Sequence, residues 1–134
     1  MGESEAIEGV YKVLVCDDEV RLGMLTAALL SDAGYEMTSV TDARSALAAL
    51  EADAEIAAVV LDVNLGGDMS AIQFLVALAA ADSQVSIVLA SGLARWELPE
   101  ELIGHPLVSG FVAKPFTEEQ LVGGVKTAIA KAQA

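Results

Sequence analysis

The side chains able to do chemistry in this sequence sit at four points, each directly after an apolar run. Asp17-Asp18-Glu19 follows the first run, Asp62 the third, Ser91-Gly92 the fourth and Lys114-Pro115 the fifth. Carboxylates gathered in one place repel one another, so their titrations couple and their protonated forms are favoured unless a cation neutralises them. Mg²⁺ is the natural occupant, with Mn²⁺ as a substitute. It prefers oxygen ligands, keeps several waters, and is held beside an incoming phosphoryl group by two carboxylates and a backbone carbonyl. Phosphoryl transfer demands an in-line nucleophile and neutralised oxygens more than a strong base. A carboxylate such as Asp62 is already a nucleophile at neutral pH, and a hydroxyl and a lysine nearby can read the charge of the acyl phosphate that results. The ordinary use of an aspartate after a strand is to cap the next helix. That use accounts for any one of these residues; the whole set together points to a site.

The elements that must position these residues are legible as alternating patterns. Runs rich in β-branched residues at Tyr11 to Cys16, Glu36 to Val40, Ala57 to Leu61, Val85 to Ala90 and Gly110 to Ala113 predict five strands. Val13-Leu14-Val15, Val59-Val60-Leu61 and Ile87-Val88-Leu89 are apolar without alternation, as strands covered on both faces require. Helical stripes lie between them: Leu22, Leu25 and Leu29; Leu47 and Leu50; Ile72, Leu75 and Ala79. A last helix opens with the capping-box spacing Thr117 to Gln120 and turns Leu121, Val122, Val125 and Ile129 inward. Strand and helix in alternation imply right-handed crossovers and a doubly wound α/β sandwich around a parallel five-stranded sheet, with ligands beyond the carboxyl ends of the strands. The stretch from Leu93 to Pro106 holds Trp96, Pro99, Gly104 and Pro106 and has room only for a short helix around Pro99 to Ile103. Gly123-Gly124, inside the last helix, reads either as close packing on the sheet or as a mobile point.

Length allows one domain, over residues 10–134 after an acidic extension at 1–9. Twenty acidic residues against seven basic give a net charge of −13, which repels nucleic acid and anionic lipid. Cys16, the one cysteine, lies in an apolar run and reads as a buried, inert thiol. No basic region opens a secretory signal, Ala6 stands where a myristoylation motif wants Ser or Thr, and the longest apolar run, Phe74 to Ala81, is far short of a membrane span. A cytoplasmic protein is expected. His105 has no second His or Cys close by and reads as a surface residue. Trp96 reads equally as a partner anchor or as a cover for a core edge.

From about Tyr11 to the last helix, the pattern resembles the receiver domain of two-component response regulators. Asp62 lies 44 residues after Asp18, and Ser91 and Lys114 follow Asp62 by 29 and 52 residues, spacings similar to those of that family. The resemblance implies a flavodoxin-like fold with helices on both faces and assigns Asp62 as phosphoacceptor. Asp17 and Asp18 become the acidic pair that organises the metal, joined by the Asn64 backbone carbonyl. Ser91 becomes the switch hydroxyl, Lys114 the lysine that pairs with the phosphoryl oxygens, and Phe111 the switch aromatic, here without a tyrosine's hydroxyl. It also implies a cis Lys114-Pro115 bond. The implied partners are a histidine kinase or histidine phosphotransfer protein, and a downstream protein or second copy at the fourth helix, fifth strand and fifth helix. With no effector segment after the last helix, a stand-alone type acting by contact is expected.

The sequence departs from the family at three places. Asn64-Leu65-Gly66-Gly67 lacks the proline that many members carry after the acceptor, Leu93 cannot orient water by hydrogen bonding, and the fourth helix is interrupted by proline. Among rivals, a flavodoxin-like cofactor binder needs a phosphate loop where Asp17-Asp18-Glu19 stands. A haloacid dehalogenase-type hydrolase needs a second aspartate where Asn64 stands. The remaining alternative is a phosphorylation-independent interaction module on the same fold, against which the intact acidic pair, acceptor and lysine argue.

Overall fold

The β-branched runs pair as parallel strands and the stretches between them coil into helices in a computed structural model that describes residues 11–133. In chain order the elements are β1 (Lys12–Cys16), α1 (Val20–Asp32), β2 (Glu36–Val40), α2 (Ala43–Ala52), β3 (Ile56–Asp62), α3 (Ala71–Ala80), β4 (Ser86–Ser91), α4 (Glu100–Ile103), β5 (Val108–Ala113) and α5 (Glu118–Gln133). The acidic extension expected at 1–9 lies outside the described residues. The sheet runs β2-β1-β3-β4-β5 and every pairing is parallel. Strand order reverses between β1 and β3, which opens a crevice at their carboxyl ends. Register brings the ends level: Cys16 pairs with Leu61, Asp62 with Ala90 and Ser91 with Ala113.

Alternate strand residues feed two separate cores. Leu14, Cys16, Val59, Leu61, Ile87 and Leu89 pack against Phe74, Leu75 and Leu78 of α3, with α2 and α4 on the same side. Val13, Val15, Val60, Val88 and Val112 pack under Leu30 of α1 and Leu121, Val125 and Ile129 of α5. Caps end the helices where the sequence provides them. Ser70 and Gln73 form a reciprocal capping box at α3, Thr117 and Gln120 form the expected one at α5, and the Asp42 side chain accepts from the Ser45 amide at 2.7 Å.

Two inward stripes differ from the expectation. In α1 the buried residues are Gly23, Thr26 and Leu30, while Leu25 is exposed. Gly23 lies against the ends of β1 and β2, where a Cβ would be in ordinary contact with the Ser39 hydroxyl at 3.5 Å and the Asp17 Cβ at 3.6 Å. Thr26 tolerates burial by donating its hydroxyl to the Leu22 carbonyl at 2.9 Å. In α3 the inward residues are Ala71, Phe74, Leu75 and Leu78, and Ala79 faces out. A helix apolar on nearly every side gives no unique phase to read.

At the glycine pair the close-packing explanation holds for one residue. A Cβ on Gly124 would meet Val112 at 3.1 Å, whereas one on Gly123 would enter open space. Farther along α5, Ser86 at the start of β4 donates to the Ala128 carbonyl at 2.8 Å and shares a hydrogen bond with Ser109 of β5 at 2.9 Å. Lys131 adds a bond to the Ser109 carbonyl at 3.2 Å. These contacts stitch the amino ends of β4 and β5 to α5. Ahead of α4, a 3₁₀ turn over Arg95–Glu97 carries Trp96 outward at 88% exposure, so it covers no core edge. Among the described residues no helix is long and apolar enough to cross a membrane.

Candidate functional site

β1 and β3, the two strands flanking the reversal of order, deliver Asp17 and Asp62 to the carboxyl edge of the sheet, and both are buried there. Asp18, one residue past Asp17, is exposed. One carboxylate oxygen from each of the three lies within 4.8 Å of the others. β5 ends at Ala113, and Lys114 turns back over the group, with Nζ 3.2 Å from Asp17 Oδ2 and 3.3 Å from Asp62 Oδ1. Backbone donors add to this hold on the carboxylates. The Asn64 amide donates to Asp62 Oδ1 at 3.1 Å, the Glu19 amide to Asp17 Oδ1 at 2.9 Å, and the Gly66 amide to Asp18 Oδ2 at 3.2 Å. The group opens onto a cleft of about 440 Å³ that Asp18, Asp62, Asn64, Gly92 and Lys114 help to line.

The electrostatics are those of an acidic cluster with too little positive charge. Burial raises the Asp62 carboxyl above its ordinary value; the Asn64 amide and Lys114 pull it back, and Asp17 pushes it up again. One ammonium serves two buried carboxylates while a third stands beside them, so the donor set fits a hard divalent cation. Beneath the cluster, burial first and then the carboxylates of Asp42, Asp62, Asp17 and Asp18 push the Cys16 thiol up to about 12. We expect Cys16 to resist an alkylating reagent at neutral pH in the native protein and to react once denaturant is added, as the fraction modified by intact mass will show. Rapid native modification would contradict the buried, inert thiol.

Not every residue marked in the sequence stands in the cleft. Ser91 is buried at the end of β4, and its hydroxyl accepts from the Leu93 amide at 2.9 Å, turned toward its own loop. Phe111 lies inside β5 opposite Leu89, half-buried beside the α3-side core. His105 accepts from the Leu107 amide through Nδ1, a local turn contact. The Lys114–Pro115 peptide is cis, as the resemblance implied. Sequence reasoning passed over the Gly66 amide, a backbone donor that no side-chain pattern announces.

A family model for the response regulator receiver domain matches residues 13–126. The chain belongs to that family. The receiver domain is 29% identical over 125 residues to the regulatory protein VirG of Agrobacterium tumefaciens, covering 91% of this chain and 45% of VirG. It therefore spans less than half the length of that relative. Among solved structures, the chemotaxis response regulator CheY4 of Vibrio cholerae superposes with a TM-score of 0.79 at 26% identity, covering 87% of this chain and 97% of CheY4. NtrX of Brucella abortus superposes with a TM-score of 0.84 at 30% identity, covering 92% of this receiver domain and 28% of NtrX. The flavodoxin-like parallel sheet is the architecture these receiver domains share.

Proposed function

We propose that this receiver domain, over residues 10–134, takes a phosphoryl group onto Asp62 from a phosphohistidine of a histidine kinase or phosphotransfer protein. The observation that carries the reading is the buried Asp62 carboxylate held against Lys114 within 4.8 Å of Asp17 and Asp18, at the floor of an open cleft. Asp62 Oδ1 is engaged by Lys114 and the Asn64 amide, which leaves Oδ2 as the attacking oxygen. The Asp62 O–P bond forms as the donor's P–N bond breaks, and the donor imidazole keeps the electron pair. Asp17, Asp18, Asp62 and the Asn64 carbonyl would hold Mg²⁺ or Mn²⁺, which when bound neutralises charge on the phosphoryl oxygens. Lys114, already in place, pairs with one of those oxygens.

Ser91 and Phe111 belong to the second half of the reading, the switch. A new dianion beside Lys114 offers an acceptor to the Ser91 O–H, whose oxygen accepts from the Leu93 amide, and drawing the hydroxyl in would move the β4 end and the Phe111 strand beside it. Val20, Met24 and Leu25 form an exposed apolar face on α1 just past the acidic pair, a fitting landing surface for the donor. A downstream protein or a second copy would read the switch at α4, β5 and α5. The charge of −13 argues against direct contact with nucleic acid or an anionic membrane, and the free, buried Cys16 thiol suits a reducing, cytoplasmic setting.

The test is direct. Incubated with Mg²⁺ and a small phosphodonor, the protein should gain one phosphoryl group by intact mass, lose it in mild alkali, and gain none in a chelator. No gain in Mg²⁺, with donor and metal controls working, sinks the reading and leaves a phosphorylation-independent module.

A further inference from the structure

Among the three clustered aspartates, Asp18 is the exposed one, and an exposed side chain samples many rotamers unless something holds it. What holds it is the Gly66 amide, at 3.2 Å from Oδ2, delivered by the loop that follows β3. Two features make the approach possible. A Cβ at residue 66 would stand 3.3 Å from that same oxygen, so a side chain would press on the carboxylate that the amide binds. Gly67 takes φ +90°, a left-handed turn that glycine adopts without strain. The next residue, Asp68, receives Arg44 Nε on both carboxylate oxygens at 3.0 Å, tying the loop to the first turn of α2.

We propose that the Gly66 amide is a positioning donor for a metal-binding Asp18, and that the Arg44–Asp68 pair holds the loop that carries it. The inference rests on the Mg²⁺-dependent reading given above. The amide fixes one oxygen of Asp18, so the carboxylate faces Asp17 and Asp62 in one orientation, and less freedom is lost when a cation arrives.

Calorimetric titration of the whole chain with Mg²⁺ alone tests this, with melting in a chelator as the control for folding. Gly66→Pro cannot donate, and its affinity should fall about tenfold while its metal-free melting temperature holds. Gly66→Ala keeps the amide but crowds Oδ2, and should lose less. If the proline variant does not fold, surface variants decide. Arg44→Gln and Asp68→Asn should each weaken Mg²⁺ binding by about two- to fivefold, and the exchanged pair Arg44→Asp with Asp68→Arg should restore it. The two single changes alter charge in opposite senses, so a through-space effect alone would strengthen binding in the first and weaken it in the second. That divergence, or a folded Gly66→Pro that binds as well as wild type, overturns the proposal. A wild-type chain that binds no Mg²⁺ overturns the reading beneath it.

Discussion

Asp62→Asn should reduce phosphoryl incorporation from one per chain to none and, in metal-free buffer, raise the melting temperature. The first effect follows from the loss of the attacking carboxylate. The second follows from the frustration of the site. Three carboxylates share a small volume with one ammonium, and burial raises the Asp62 carboxyl above its ordinary value. A raised carboxyl binds its proton more tightly in the folded state than in the unfolded chain. Metal-free stability is therefore fullest below the unfolded value and declines as pH rises through the folded one. Asparagine removes that decline, because its amide oxygen still accepts the Asn64 N–H and Lys114 keeps Asp17. The wild-type protein should recover the difference in Mg²⁺, which at a hundredfold excess over its Kd adds about 2.7 kcal/mol, and the variant should gain less. Melting curves across pH, with and without Mg²⁺, check both halves. An unchanged or lower metal-free melting temperature for Asp62→Asn would show that the cluster is not strained.

Phe74→Ala carries the largest expected cost in stability. Phe74 is fully buried in the core shared by β1, β3, β4 and α3, and its removal loses both transfer free energy and packing. Losses of about 3–5 kcal/mol are usual for such a change, against a whole-domain stability of about 5–15 kcal/mol. Urea unfolding followed by far-ultraviolet circular dichroism should show a lower midpoint with an unchanged slope. Val76, two residues on, is exposed and offers the contrast: Val76→Ala should leave the midpoint nearly where it was.

What the sequence made legible, it did through chemistry that leaves few alternatives. Val59-Val60-Leu61 could only be covered on both faces, so Asp62 had to emerge at the edge of a central strand, and it does. Lys114, Asp17 and Asp62 come from three different strand ends, and the ammonium meets both carboxylates. What lay beyond the sequence has equally definite causes. The buried face of α1 is built from Gly23 and Thr26, one with no side chain and one that hides its hydroxyl in a backbone bond, and neither reads as apolar. The turn of the Ser91 hydroxyl toward Leu93 depends on a rotamer. The Gly66 amide and the Arg44–Asp68 pair depend on how a loop closes, which no periodicity encodes.

The stitch made by Ser86, Ser109, Ala128 and Lys131 sits at the opposite end of β4 and β5 from Ser91 and Lys114. β5, the edge strand, is bonded to the sheet along one side only, so it is in effect a lever clamped at its amino end and loaded at its tip. With about 3.3 Å of rise per residue, a strand of this length turned through about 5° carries its tip about 1.5 Å while the clamped end stays still. Displacement grows with distance from the clamp, so a phosphoryl group drawing on Lys114 would act at the far end of that lever.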